Sequence, residues 1–376
     1  MNYTTHHNCR ANLNVFTLKR AYHLNNGDLR VNDEAPELIE DPLVEDFCML
    51  EESDFFPKQT FIDVAIKGTL YTPQGQERTT MDTAIVLQDR KIALKLFGQR
   101  RLECENSRWR FSSPEPFTSI PLTWEEAYGG HDPQGDAAGD LCGLDQLGEQ
   151  TGQDLSHMNL SRYRRNPKGK GFILDLKPEH EGILLPRVEF AHSPIQVDHL
   201  SAGSAINWHF MPSPACFDWI HFHWFPRSQF MVEKLFGKVD ALLPHRPLPE
   251  YDFGFSREDL FQRMAAHDLI RHPRMFNAAH PALQIQNQKK PVEITLYHVS
   301  PDQQELNFKV PYREPLIKLM NPGERKTYKS KASLSQIRIN LEERTLTTTW
   351  HALIHTRNPV SDENHEKIEY DIQWDS

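Results

Sequence analysis

The densest group of chemistry-bearing side chains lies between His192 and Pro249, where histidines, tryptophans and phenylalanines crowd together. Read as a strand, Ile220 to Phe225 places His221 and His223 on one face, because side chains two apart in a strand point the same way. Two imidazoles so placed are a metal-ligand pair, with His209, Asp218 or His245 completing the set and Asp218 serving as ligand or base. This is the enzyme hypothesis of the sequence, a metal-dependent hydrolase. No His-Glu-x-x-His or comparable spacing accompanies it. Aromatic-rich strands more often pack a core or present a sticky surface, so the cluster reads first as a contact surface, with Trp219, Phe222, Trp224 and Phe225 as anchors.

A second chemical feature is the basic run Arg162, Arg164, Arg165, Lys168 and Lys170, which sits in the turn-forming stretch Asn166-Pro167-Lys168-Gly169-Lys170-Gly171. The proline and alternate glycines favour a tight turn with exposed amides. The surroundings lack the strand-then-helix order that a phosphate loop requires. Arg164, Arg165 and Lys168 are therefore assigned to the charged rim of the contact surface. No Gly-x-Ser-x-Gly elbow, phosphate loop or dinucleotide fingerprint occurs, and no cofactor is called for.

Upstream, Pro121-Leu122-Thr123-Trp124-Glu125-Glu126-Ala127-Tyr128-Gly129-Gly130 reads as a capped helix of about two turns. Thr123 and Glu126 have capping-box spacing, and the glycine pair permits a left-handed C-terminal cap. The motif Pro-Leu-x-Trp-Glu-x-Ala-Tyr-Gly-Gly, followed by Asn166-Pro167-x-Gly169-x-Gly171 and by Leu185-Pro186-Arg187-Val188-Glu189, resembles a family first catalogued as a domain of unknown function. Its members are found beside VgrG spike and toxin genes of bacterial type VI secretion systems. The likeness takes in Phe61 to Gly75, Pro116 to Pro121, Phe276 to Gln284 and Leu334 to Leu353. It implies an effector adaptor or chaperone that binds a toxin effector and loads it onto the VgrG spike; some relatives carry pentapeptide repeats. Two departures stand out: a longer spacer between Gly130 and Asn166, and no Gly-Phe-Gly-Pro step after Val188.

The elements that must position these residues are mostly strands. The 376 residues include 26 prolines and 21 phenylalanines, a composition that favours short strands and shaped loops over long helices. Ile62, Val64 and Ile66 alternate with Asp63, Ala65 and Lys67 as a half-buried strand does. Asn25-Asn26-Gly27-Asp28 is a turn between Asn14 to Leu18 and Leu29 to Val31. Further hairpins are expected for Met81 to Leu87 with Lys91 to Phe97, Val292 to Leu296 with Leu306 to Val310, and Ser335 to Leu341 with Thr345 to Ile354. Arg108 to Phe111 is a short strand. Ser256 to Leu269 has the spacing of an amphipathic helix, and Phe276 to Ala279 that of a helical turn. The expected fold is mainly β, with antiparallel, sandwich-like sheets and a central part-helical region. The chain divides into a β-rich part over 1–200, an aromatic and part-helical part over 201–285, and a β part over 286–376 that either completes the N-terminal sheet system or forms a separate sandwich.

Charge sorts the partners. The net charge is −10. Ten carboxylates lie between Asp33 and Asp54 without a Lys or Arg, and the remainder carries 42 acids against 42 bases. This acidic segment reads as solvated, or as a dock for a basic partner. A chain without a basic face is a poor binder of nucleic acid. The spacer 131–165 reads as a surface loop; its Asp132, Asp136, Asp140, Asp145, Glu149 and Asp154 lack the alternate spacing of a calcium loop. The five cysteines are odd in number and include no Cys-x-x-Cys pair, which suits a reducing compartment. No apolar leader or membrane-length run is present, so the expected location is cytoplasmic. Binding through surface anchors is the reading carried forward, ahead of the metal hydrolase and of a carbohydrate-binding β module.

Overall fold

The computed structural model describes residues 3–10, 13–45, 48–55, 59, 61–132, 134, 161–202, 210–221, 224, 227, 276–287, 289–321, 324–357 and 369–373. The expected helix at Ser256 to Leu269, most of the 131–165 spacer and Trp374 lie outside these residues.

Both ends of the chain meet in one seven-stranded sheet. Its order is Thr4–Arg10, Leu13–Asn25, Thr345–His355, Ser333–Asn340, Ile62–Lys67 and Gln284–Ile285, with Asp28–Val31 also on Leu13–Asn25. All pairings are antiparallel except that of Ser333–Asn340 with Ile62–Lys67. The Asn26-Gly27 turn works as its residue types require: both residues have positive φ (49° and 98°) and close the pair Asn25↔Asp28. The register differs from the sequence expectation. Asp28–Val31 pairs with Tyr22–Asn25, and residues 13–23 pair with the far end of the chain, because the strand runs without a break from Leu13 through the turn.

A five-stranded antiparallel sheet has the order Val188–Phe190, Arg90–Phe97, Thr80–Leu87, Val292–Tyr297 and Glu305–Val310. Its hairpins match the alternation read from sequence, with Val292, Ile294 and Leu296 set opposite Val310, Phe308 and Leu306. Ile85, Leu94, Ile294 and Phe308 from this sheet share one apolar core with Phe16, Leu18, Ile337 and Trp350 from the larger one. Such an arrangement is sandwich-like. A three-stranded sheet, Lys326–Lys331, Leu316–Asn321 and Glu369–Gln373, adds Ile317 and Leu319 to that core.

Two local expectations are corrected. Ile62–Lys67 is buried on both faces up to Ile66, including Asp63, because Ile62, Val64 and Ile66 face the shared core while Trp219, Ala278 and Ala279 pack on Ala65 across the other face. Asp63 holds that segment in place: its Oδ2 accepts from the Ala278 amide at 2.7 Å and its Oδ1 from Asn277 Nδ2 at 2.9 Å. Burial raises its carboxyl to about 7. Second, of the helical turn expected at Phe276 to Ala279 only Phe276 is helical, and a separate turn forms at Pro281–Leu283. There, proline opens the turn and His280 Nδ1 accepts the Ala282 amide at 3.1 Å, whereas the Ala278 amide is already committed to Asp63. Every helical element whose two ends fall among the described residues is a three-residue turn.

Candidate functional site

The family-type motif folds as a buried knot rather than as a capped helix. Trp124–Glu126 is a single 3-10 turn, and Thr123 makes no side-chain cap. Glu126, expected to close a capping box, pairs instead with Lys170 at 2.9 Å. The chain then goes extended because Tyr128–Gly129 pairs in parallel with Lys170–Gly171. This pairing decides the role of the glycines, since a Cβ on Gly129 would lie 2.1 Å from the Asn166 carbonyl oxygen and one on Gly130 2.2 Å from that of Gly169. Asn166 is fully buried. Its Nδ2 donates to the Trp124 carbonyl at 2.7 Å and the Tyr128 carbonyl at 3.1 Å, and its Oδ1 accepts from the Lys168 amide at 3.2 Å.

The remaining motif residues extend the knot. Leu122 and Ala127 are buried, Pro121 and Pro167 are half-buried, and Glu125 is exposed. Trp124 Nε1 donates to the Trp219 carbonyl at 3.2 Å, and its ring meets Trp224 edge to face at 5.2 Å. Tyr128 packs edge to face on Tyr163 in a second core with Phe172, Leu185 and Leu200.

These contacts correct several sequence assignments. Trp219 and Trp224 are only 2% and 3% exposed, so they fill the interior between the 121–130 and 216–227 segments and are not surface anchors. Phe222 and Phe225 lie outside the described residues. Arg165 is buried and donates to Tyr163 Oη at 2.7 Å and the Met211 carbonyl at 3.2 Å, which removes it from a charged rim; Arg164 and Lys168 are half-buried. The 164–171 turn is therefore enclosed, with Asn166 and Gly171 buried, because the glycines let it sink against the 127–130 backbone. Asp132, assigned to a surface loop, is 1% exposed. Its carboxylate accepts from the Leu174 amide at 2.8 Å and contacts His180 Nε2 at 2.9 Å.

For the metal hypothesis, His221 is buried and tilted against Trp224, and Asp218 accepts its neighbour's amide at 2.9 Å, with burial raising its carboxyl to about 6. His209, His223 and His245 lie outside the described residues. Among the described residues, no three His, Cys, Asp or Glu side chains group around a point that would hold a metal. Cys48, Cys104 and Cys216 are free thiols, and no described helix is long and apolar enough to cross a membrane.

The acidic segment proves to be two things. Its end is built into the large sheet, where Asp54, 2% exposed, accepts from Lys19 Nζ at 2.7 Å, the Ile39 amide at 2.8 Å and Thr349 Oγ1 at 3.1 Å. Glu52 pairs with Arg227 in the interior. Arg338 donates to the Leu50 carbonyl at 3.0 Å. The solvated reading is thus corrected for Glu52 and Asp54, whose cations, Arg227 and Lys19, come from distant parts of the chain. The other part stays outside: Asp33, Glu34, Glu37, Glu40, Asp41 and Glu45 are exposed. Strand Leu43–Glu45, paired with Cys48–Glu51, lifts Leu43 and Val44 into solvent at 54% and 37% exposure. An exposed apolar pair flanked in sequence by exposed carboxylates, on a hairpin, resembles the apolar centre and polar rim of an interface. In the sequence Leu43 and Val44 alternate with carboxylates in the same way as Leu38 and Ile39, and only the fold separates the exposed pair from the others.

A family model described as "Uncharacterized protein conserved in bacteria (DUF2169)" matches residues 10–351. The chain belongs to this family. Neither a curated protein nor a solved structure matches it. In this DUF2169 member, the matched span takes in most of the large sheet, the motif knot and the acidic hairpin.

Proposed function

We propose that this DUF2169 protein is an adaptor or chaperone that works by binding: it holds a toxin effector in the bacterial cytosol and helps load it onto the VgrG spike of a type VI secretion system. The reading draws its pathway from the resemblance of the Pro121–Gly130 and Asn166–Gly171 motifs, and its physical support from the hairpin at 43–51. The observation that carries it is the pairing of exposed Leu43 and Val44 with six exposed carboxylates on a segment tied down at Asp54. Apolar anchors supply affinity once water is excluded, and the acidic rim selects a basic partner surface and speeds encounter. A preformed hairpin also avoids part of the ordering cost of binding.

The test is co-purification of the full chain with the products of neighbouring toxin and spike genes. Replacing both Leu43 and Val44 with Asp should weaken effector capture at least about tenfold, while leaving thermal stability unchanged because the side chains are exposed. Undiminished capture by the folded double variant would remove the hairpin from the interface, and a gene neighbourhood without injection-system components would remove the pathway.

A further inference from the structure

A cavity of about 360 Å³ opens beside the strand Ser333–Asn340, lined in part by Gln59, Phe61, Asn287, Lys331, Ser335 and His351. Its size falls in the range of small-molecule sites. Ser335 occupies a β-bulge, where pairing with Thr345–His355 slips between Leu334 and Gln336; bulges re-aim side chains and occur often beside active sites.

The hydrogen bonds fix the direction of the proton. His351 Nε2 lies 2.7 Å from the Asp54 main-chain oxygen, which can only accept, so Nε2 carries the hydrogen. Burial lowers His351 to about 4, so the ring is neutral at neutral pH and Nδ1 presents a lone pair. Ser335 Oγ lies 2.9 Å from Nδ1 and 3.3 Å from the Ser333 carbonyl, so Nδ1 is the nearer of the two acceptors open to its hydroxyl. A hydroxyl, a neutral imidazole and an orienting acceptor thus stand in the order used by serine nucleophiles, with a carbonyl in the third position.

We propose that Ser335 is a nucleophile, with His351 as its base, for acyl transfer from an activated acyl donor held in this cavity. Ser335 Oγ adds to the acyl carbon as its proton passes to Nδ1. The tetrahedral intermediate expels a thiolate or phenolate, which takes the proton from Nδ1, and water later releases the acid and restores the hydroxyl. A weakly basic imidazole gives limited help in removing the serine proton, so the acyl donor must itself be activated, as thioesters and aryl esters are. Asn287, whose carboxamide oxygen accepts from the Lys289 amide at 3.1 Å, lines the same cavity.

This site goes beyond the adaptor reading and does not depend on it. The folded full-length chain is treated with a fluorophosphonate probe, the adduct is mapped by mass spectrometry, and release of p-nitrophenol from p-nitrophenyl acetate is followed in parallel. A single adduct on Ser335 is expected, lost in Ser335→Ala and on prior denaturation, with labelling slowed about 100-fold or more in His351→Gln. Absence of an adduct on Ser335 in the folded wild type, or labelling unchanged in a folded His351→Gln variant, overturns the proposal.

Discussion

Replacing Asn166 with alanine tests whether the motif knot holds the fold together. The side chain serves three backbone groups: the carbonyls of Trp124 and Tyr128 and the amide of Lys168. The Trp124 carbonyl keeps a second donor, the Ala127 amide at 3.3 Å. The substitution thus orphans chiefly the Tyr128 carbonyl and the Lys168 amide. A buried polar group left without a partner costs about 1–3 kcal/mol, so two of them give an expected loss of about 2–6 kcal/mol, a large share of a typical domain's stability of about 5–15 kcal/mol. Asn166→Asp is the informative control. Its carboxylate still accepts from Lys168 but turns an acceptor toward two carbonyls, so it should lose at least as much stability at neutral pH. Urea unfolding followed by tryptophan fluorescence, with the midpoint read at constant m, measures both. A loss below about 1 kcal/mol for the alanine variant, or an aspartate variant as stable as wild type, would refute the account of the knot.

Other outcomes follow from the same geometry. Gly129→Ala should fail to accumulate as folded protein, because its Cβ would meet a backbone oxygen at 2.1 Å where φ is +148°; a soluble variant with wild-type melting would count against this. Trp224→Ala should cost about 3–5 kcal/mol in urea unfolding, as for other buried aromatics; a folded variant of normal stability that loses only partner capture would return Trp224 to the surface. Asp63 is raised to about 7 by burial, so between about 4 and 7 the folded state holds a proton that the unfolded chain has released. Stability should therefore fall as pH rises through that window. Asp63→Asn should flatten the slope of the urea midpoint against pH, and an unchanged slope would assign it to other groups.

The strands with one wet face were legible because period two is written directly into them: Val292 to Leu296 and Leu306 to Val310 alternate and pair residue for residue. The Asn26-Gly27 turn was equally plain, since left-handed backbone geometry needs those residue types. The capped helix at Thr123 misled because capping-box spacing is a local signal, and Glu126 found a better partner in Lys170, which is 44 residues away. The tryptophans misled for the opposite reason: an aromatic is equally suited to a core or an interface, and only the packing of Trp124 on Trp224 chooses.

By itself the sequence determined a mainly β chain, its principal hairpins and the residues that mark its family, because alternation, turn chemistry and motif spacing are local properties. Tertiary structure alone decided that the motif is a buried knot, that the acidic segment splits into an anchored end and an exposed hairpin, and that Ser335 meets His351. Each of these rests on partners far apart in the chain: Asn166 with Trp124, Asp54 with Lys19 and Thr349, and the Asp54 carbonyl with His351. Burial and hydrogen bonding between distant segments are set by how the sheets close, and no local pattern encodes that closure.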